Sequence, residues 1–258
     1  MEDLKKTSGL GLKLDGKKYS LALGEGITKV TPAVRCLKDM QEVLAQKDLT
    51  SPKELYYMYR DLHKVKDETD IRKNKLRYDV TIIRSGRLGA EYMKTAGHYH
   101  PGDFGELYEV LYGSGWCMMQ KANKKDHRVI EDVILIKAKT GDKIVIPPRY
   151  GHILINVGNV PLVTSNWVSS EFSSEYDLYK KSGGAAYFVF EDNAGERFEV
   201  NPYYAQVSKM RVGYPAKEVN NFGLKAGEPM YPLLYNDVKK LDFLNSPLKY
   251  DYSEVFEF

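Results

Sequence analysis

The stretch Gly97-His98-Tyr99-His100-Pro101-Gly102-Asp103-Phe104-Gly105-Glu106 puts two imidazoles and a carboxylate in one short segment. In a strand, residues two apart project to one face, so His98 and His100 point together while Tyr99 points away. After a turn on Pro101 and Gly102, Glu106 opens a second strand. Antiparallel pairing of that strand with the first would return its carboxylate to the imidazoles. His152 opens a third strand after Pro147-Pro148. Three nitrogens and one oxygen form a coordination set for one divalent transition metal, with positions left open for water or substrate. Fe, Mn, Ni, Co and Zn all accept such donors, with Fe2+ the first expectation. A lone histidine in a β protein is ordinarily a surface or hydrogen-bonded core residue, which is the reading for His63 and His127. The joint pattern goes further. Gly113 follows Glu106 at seven residues, and Gly141-x5-Pro147 leads to His152-x3-Asn156.

These side chains need a scaffold of short strands. Twenty tyrosines in 258 residues tilt the chain toward pleated, half-buried surfaces. Strands are expected over 77–84, 91–100, 107–113, 116–122, 132–138, 143–148, 152–157 and 161–168, divided by Gly, Pro, Asn and Asp turns. Another pair, 185–192 and 197–202, flanks Asn193-Ala194-Gly195. Such spacing means an all-β sandwich or barrel. Thr31-Pro32 is read as a helix start, with Leu37, Met40 and Leu44 at helical spacing. Ser51-Pro52-Lys53-Glu54 has the form of a capping box, but Leu55–Tyr59 suits a strand. Residues 64–75 read as an exposed charged loop. In the proline-marked tail, Leu234, Val238 and Leu241 could form one short helix. Residues 1–204 are taken as the main domain, and 205–258 as an extension packed on the barrel.

Thirty-eight Lys+Arg against 35 Asp+Glu argues against broad nucleic-acid binding, which needs a basic face. No apolar run approaches the roughly 20 residues of a membrane span, and the N-terminus lacks the apolar segment of a secretory signal. Two cysteines, Cys36 and Cys117, form no disulfide framework and suit a reducing compartment, so a soluble cytoplasmic protein is expected. Cys117 reads as a small buried hydrophobe.

The two histidine segments resemble the paired motifs of the cupin superfamily. Within it, residues 9–203 are similar to the archaeal-type cupin glucose-6-phosphate isomerases. The resemblance is carried by Val34–Met40, Thr95-Ala96-Gly97-His98-Tyr99-His100, Glu106–Gly113 and Val145-Ile146-Pro147-Pro148-Arg149-Tyr150-Gly151-His152. It implies a mainly β double-stranded β-helix, a jelly-roll-like barrel with a few short helices. It also implies a homodimer and one divalent metal per subunit on His98, His100, Glu106 and His152. Thr81, Thr95, Gly97, Tyr56 and Tyr176 would take a sugar phosphate, with Tyr108 lining the pocket. The chain departs from the family where Tyr92 and Arg149 replace glycines of the general motifs. Ser174-Glu175-Tyr176 keeps the family's tyrosine but lacks its histidine.

An aldose–ketose isomerase moves hydrogen between C1 and C2 of an opened sugar. A metal can polarise the carbonyl, and Glu106 is the candidate proton shuttle; a metal-assisted hydride shift is the alternative. No arginine cluster is visible for the phosphate. Arg149, three residues before His152, is a candidate partner against its reading as an exposed surface residue. Asn156 could orient a ligand or cap a turn, and Glu109 is expected at the surface or behind the site. An Fe(II) oxygenase of the same superfamily could use the same ligands. A non-catalytic sugar-phosphate-binding cupin is the other alternative, although the intact ligand set counts against it.

Overall fold

A computed structural model describes residues 1–193 and 195–258. Fourteen strands matter here. They are β1 (Ala33–Cys36), β2 (Glu54–Tyr59), β3 (Leu76–Ile83), β4 (Glu91–Lys94), β5 (Glu106–Tyr112), β6 (Ser114–Ala122) and β7 (Val129–Lys139). There follow β8 (Lys143–Ile146), β9 (Gly151–Asn156), β10 (Leu162–Ser169), β11 (Tyr187–Asp192), β12 (Gly195–Val200), β13 (Gln206–Val207) and β14 (Arg211–Pro215). Ala194, in the turn expected between β11 and β12, lies outside the described residues.

One sheet runs β8-β5-β10-β3-β2-β1 and is antiparallel throughout. The other runs β12-β11-β4-β9-β6-β7-β14. The chain crosses repeatedly between them: β3 and β4 lie in different sheets, as do β4 and β5, β5 and β6, β7 and β8, β8 and β9, and β9 and β10. That alternation winds the strands into the double-stranded β-helix of a cupin. Gly113 makes the crossing from β5 to β6 possible. Its φ is +82°, and a Cβ would lie 2.6 Å from the Pro161 carbonyl oxygen.

Strand periodicity assigns the faces. On β5, Tyr108 and Val110 face the inter-sheet core with Ile144, Ile146, Met118 and Ile153, whereas Leu107 and Leu111 face outward. The outer face is nevertheless buried, under Leu10, Leu12, Phe222, Tyr231, Phe243 and Leu244 from the two ends of the chain. Cover on both sides explains why these strands read as near-continuous apolar runs. β14 adds a parallel neighbour to β7.

Several local expectations are overturned. Residues 64–75 are not a loop: a 3-10 turn, Val65–Asp67, leads into an α-helix, Glu68–Lys73. Acidic residues in its first turn and basic ones in its last suit the helix dipole, and buried Ile71 anchors it. Thr31-Pro32 precedes a strand. The helical turns begin only at Leu37, as Leu37–Asp39 and Gln41–Val43, because residues 33–36 pair with β2. Glu54–Tyr59 is strand. The single helix expected near Leu234 is Leu233–Asn236, separated by extended Asp237 from a 3-10 run, Val238–Leu244.

Glu109 is not at the surface. It is buried on the outward side of β5, with Oε1 2.9 Å from Lys143 Nζ and Oε2 accepting the Met230 N–H at 3.0 Å. Burial pushes its pKa up to about 7, against the pull of Lys143 and that N–H. Its ordinary value is about 4.3, so the folded chain holds a proton that the unfolded chain releases between the two values. The contribution of Glu109 to stability therefore falls as pH rises through that window and levels off above it. Lys143→Ala should cost ~3 kcal/mol at pH 8, where it strands a buried carboxylate. Urea unfolding should show a clearly smaller cost at pH 5.5, where the carboxyl is protonated.

Candidate metal centre

His98, His100, Glu106 and His152 converge, by a route different from the expected strand pairing. The β4 ladder ends at Lys94. Beyond it, Gly97 takes a φ of +80° with its Cα packed under Ile153 and Tyr179, where any Cβ would collide. His98 then exchanges backbone hydrogen bonds with His152 at 3.0 and 3.3 Å. His98 and His100 still project together, although the regular strand does not reach them. Glu106 arrives from the opposite sheet: β5 pairs with β8 and β10, and its carboxylate faces the imidazoles across the barrel.

Glu106 Oε2 lies 3.0 Å from His152 Nε2, 3.2 Å from His100 Nε2 and 3.9 Å from His98 Nε2. The His98 and His100 Nε2 atoms are 3.3 Å apart. The four donor atoms lie within 4.8 Å of one another. Ligands held at about 2.0–2.2 Å from one ion at right or tetrahedral angles stand about 3.0–3.5 Å apart, so the spacing fits a single cation. The unsatisfied atoms fit as well. Glu106 Oε2 is buried yet accepts no well-directed hydrogen bond, an expensive state for a carboxylate unless a cation completes it. The group can hold a metal.

Neighbouring contacts orient the ligands. His100 Nδ1 lies 3.1 Å from the Phe104 carbonyl oxygen, an acceptor only, so that nitrogen carries the proton and Nε2 is left with its lone pair. Asn166 Nδ2 donates to Glu106 Oε1 at 2.7 Å. Burial lowers the His98 pKa well below the usual imidazole range, and His152 and His100 lower it further. Burial alone would raise the Glu106 carboxyl, but the adjacent His100 and His152 outweigh it and hold it well below the usual carboxylate range. Neutral imidazole and ionised carboxylate are the forms a metal needs.

The cluster opens into a cavity lined by Tyr56, Thr81, Thr95, Gly97, Tyr108 and Tyr176, all anticipated from the sequence. A model of the glucose-6-phosphate isomerase (GPI) family matches residues 34–206. The chain belongs to the glucose-6-phosphate isomerase family. The Pyrococcus furiosus glucose-6-phosphate isomerase is 26% identical over 199 residues, covering 74% of this chain and 95% of that one. The Pyrococcus abyssi glucose-6-phosphate isomerase is 25% identical over 203 residues, covering 75% and 95%. Among solved structures, Bacillus subtilis oxalate decarboxylase shows a looser likeness. It aligns at 17% identity with a TM-score of 0.34, over 46% of this chain and 27% of its own.

This glucose-6-phosphate isomerase family member places two other candidates elsewhere. Arg149 is exposed and paired with Asp103, away from the cavity lining. Asn156 is buried but spends its amide on the carbonyls of Ile83, Arg84 and Val160, and it accepts the Gly158 N–H, so it caps a turn. Cys117 is a buried core residue. Tyr108 approaches His152, its hydroxyl 3.2 Å from Nε2.

Sequence reasoning missed Arg35, Arg60, Arg77, Asp79 and Asn166. Arg35 Nε donates to the Tyr56 hydroxyl at 3.2 Å, and its guanidinium lies 5.2 Å from the Tyr176 ring centroid. Arg60, Arg77, Asp79 and Asn166 line the cavity. The signal for two of them was present: Arg77, Asp79 and Thr81 alternate on one face of β3. The arginines come from separate segments, so no local cluster announces them.

Proposed function

We propose that this chain is a metal-dependent aldose–ketose isomerase interconverting glucose 6-phosphate and fructose 6-phosphate. The observation that carries the reading is the convergence of four metal-binding donors at the floor of a cavity walled by hydroxyl groups. His98, His100, Glu106 and His152 would hold one divalent ion, with Fe2+ the proposed metal and Mn2+, Ni2+, Co2+ or Zn2+ as substitutes. Such an ion polarises the sugar carbonyl and offsets charge building on the C1 and C2 oxygens. Thr81, Thr95, the Gly97 backbone, Tyr56 and Tyr176 would bind the phosphate, with Arg35 steadying both tyrosines. Tyr108 would flank the reacting carbons. Glu106 would carry the proton between C1 and C2: the other carboxylate lining the cavity among the described residues, Asp79, is engaged by Arg77. A homodimer in the reducing cytoplasm completes the proposal, supported by the family resemblance and the free cysteines Cys36 and Cys117.

A coupled assay on fructose 6-phosphate tests it. Turnover should vanish on treatment with EDTA and return with a divalent ion. Turnover indifferent to both, or oxygen uptake in place of isomerisation, would overturn the reading. Light scattering should give about twice the 29.5 kDa chain mass.

A further inference from the structure

The cavity has a second pole that the proposed reaction does not use. Arg77 clamps Asp79 through Nε and a terminal nitrogen at 2.9–3.0 Å, and Asp79 Oδ1 also accepts the Asp61 N–H at 2.8 Å. The Arg60 guanidinium reaches the same carboxylate at 3.8 Å. Two cations therefore share one anion. Asp79 is buried, Arg77 half-buried and Arg60 exposed, so the surplus positive charge sits at the cavity mouth rather than in the core. Strand register places this pole. Arg77 pairs across strands with Val168, and Val168 pairs with Glu106, so Arg77 stands level with the metal-binding carboxylate. Two interstrand steps make that separation about 10 Å between Cα atoms, well within the reach of an arginine and a bound sugar. Thr81 lies four residues along the same strand, about 13 Å from Arg77. Thr81 thus stands toward one end of this strand face, and the arginines stand at the other, where Arg77 is level with Glu106.

Resting on the isomerase reading, we propose that Arg60 and Arg77, braced on Asp79, form a second anion subsite. It takes a phosphate carried on C1 of a sugar already phosphorylated at the far end. The cavity then binds doubly anionic sugar phosphates as tight, non-reacting ligands. Guanidinium groups suit this task because they stay charged: with Nε and Nη2 given to Asp79, Arg77 would donate from Nη1, and exposed Arg60 from its own nitrogens.

The test is calorimetric titration of the metal-loaded protein with hexitol 6-phosphate and with hexitol 1,6-bisphosphate. The wild type should bind the bisphosphate at least about tenfold more tightly, the advantage of added charge-assisted hydrogen bonds. Arg60→Gln, at an exposed position that the fold tolerates, should remove most of that ratio and leave the hexitol 6-phosphate affinity within about twofold. Arg77→Gln should do the same, with its fold checked by thermal melting. Repeating the titrations after chelation separates the metal's share: the part of the ratio lost in the variants should persist. A ratio unchanged in both variants, or equal weakening of both ligands, would overturn the subsite. Failure of the wild type to bind hexitol 6-phosphate would count against the isomerase reading, and failure to prefer the bisphosphate against the second pole.

Discussion

Replacing His152 with alanine should strip the bound metal and lower isomerisation at least about 1000-fold. His152 is buried at the centre of the cluster, 3.0 Å from Glu106 Oε2 and backbone-paired with His98. Its loss opens the coordination set and removes the nitrogen nearest to Glu106 Oε2. A metal of this kind supplies several kcal/mol of charge stabilisation, and about 4 kcal/mol corresponds to about a thousandfold in rate. Metal content by mass spectrometry and turnover by the coupled assay should fall together. His127→Ala is the control: His127 is exposed and outside the cluster, so both quantities should stay at wild-type levels. A His152→Ala protein that keeps its metal and its rate would remove the basis of the proposed function.

Glu106→Gln should lower the rate by about three orders of magnitude while leaving the barrel folded, the usual range for losing a general base. The substitution preserves shape but removes the anion, and a neutral amide also binds a metal less well. A second readout isolates the proton-carrying role. In deuterium oxide the wild type should introduce solvent deuterium at C2 of glucose 6-phosphate formed from fructose 6-phosphate, because a carboxylate exchanges its proton with solvent. Full exclusion of solvent label would mean that the hydrogen passes directly between the carbons, and Glu106 would then serve only to bind the metal. Asn166 holds Oε1 and so fixes the direction of Oε2, which makes it a positioning residue for either role.

Much of this was written locally. His98 and His100 share a face because the backbone stays locally extended at the His98–His152 bridge, and residues two apart in extended chain project together. Gly97, Gly113 and the prolines mark turns whose backbone requirements are equally local. The strand series and the four candidate donor residues were accordingly legible in the sequence, whereas Thr81, Thr95, Tyr56 and Tyr176 came only from the family resemblance.

The sequence by itself determined which residue types could bind a metal, which sides of their own strands they occupy, and that the chain is built mainly of short strands. Tertiary structure alone decided that Glu106 comes from the opposite sheet, that Arg60 and Arg77 line one cavity with Arg35 behind its tyrosines, and that Arg149 stands apart from it. It also decided that Glu109 is buried where Met230 and its neighbours cover the sheet, and that residues 68–73 coil into a helix over Ile71. The reason is one of range. Alternation orders the side chains of a strand among themselves, but which strand lies opposite depends on how two sheets, joined by distant segments, close over a shared core.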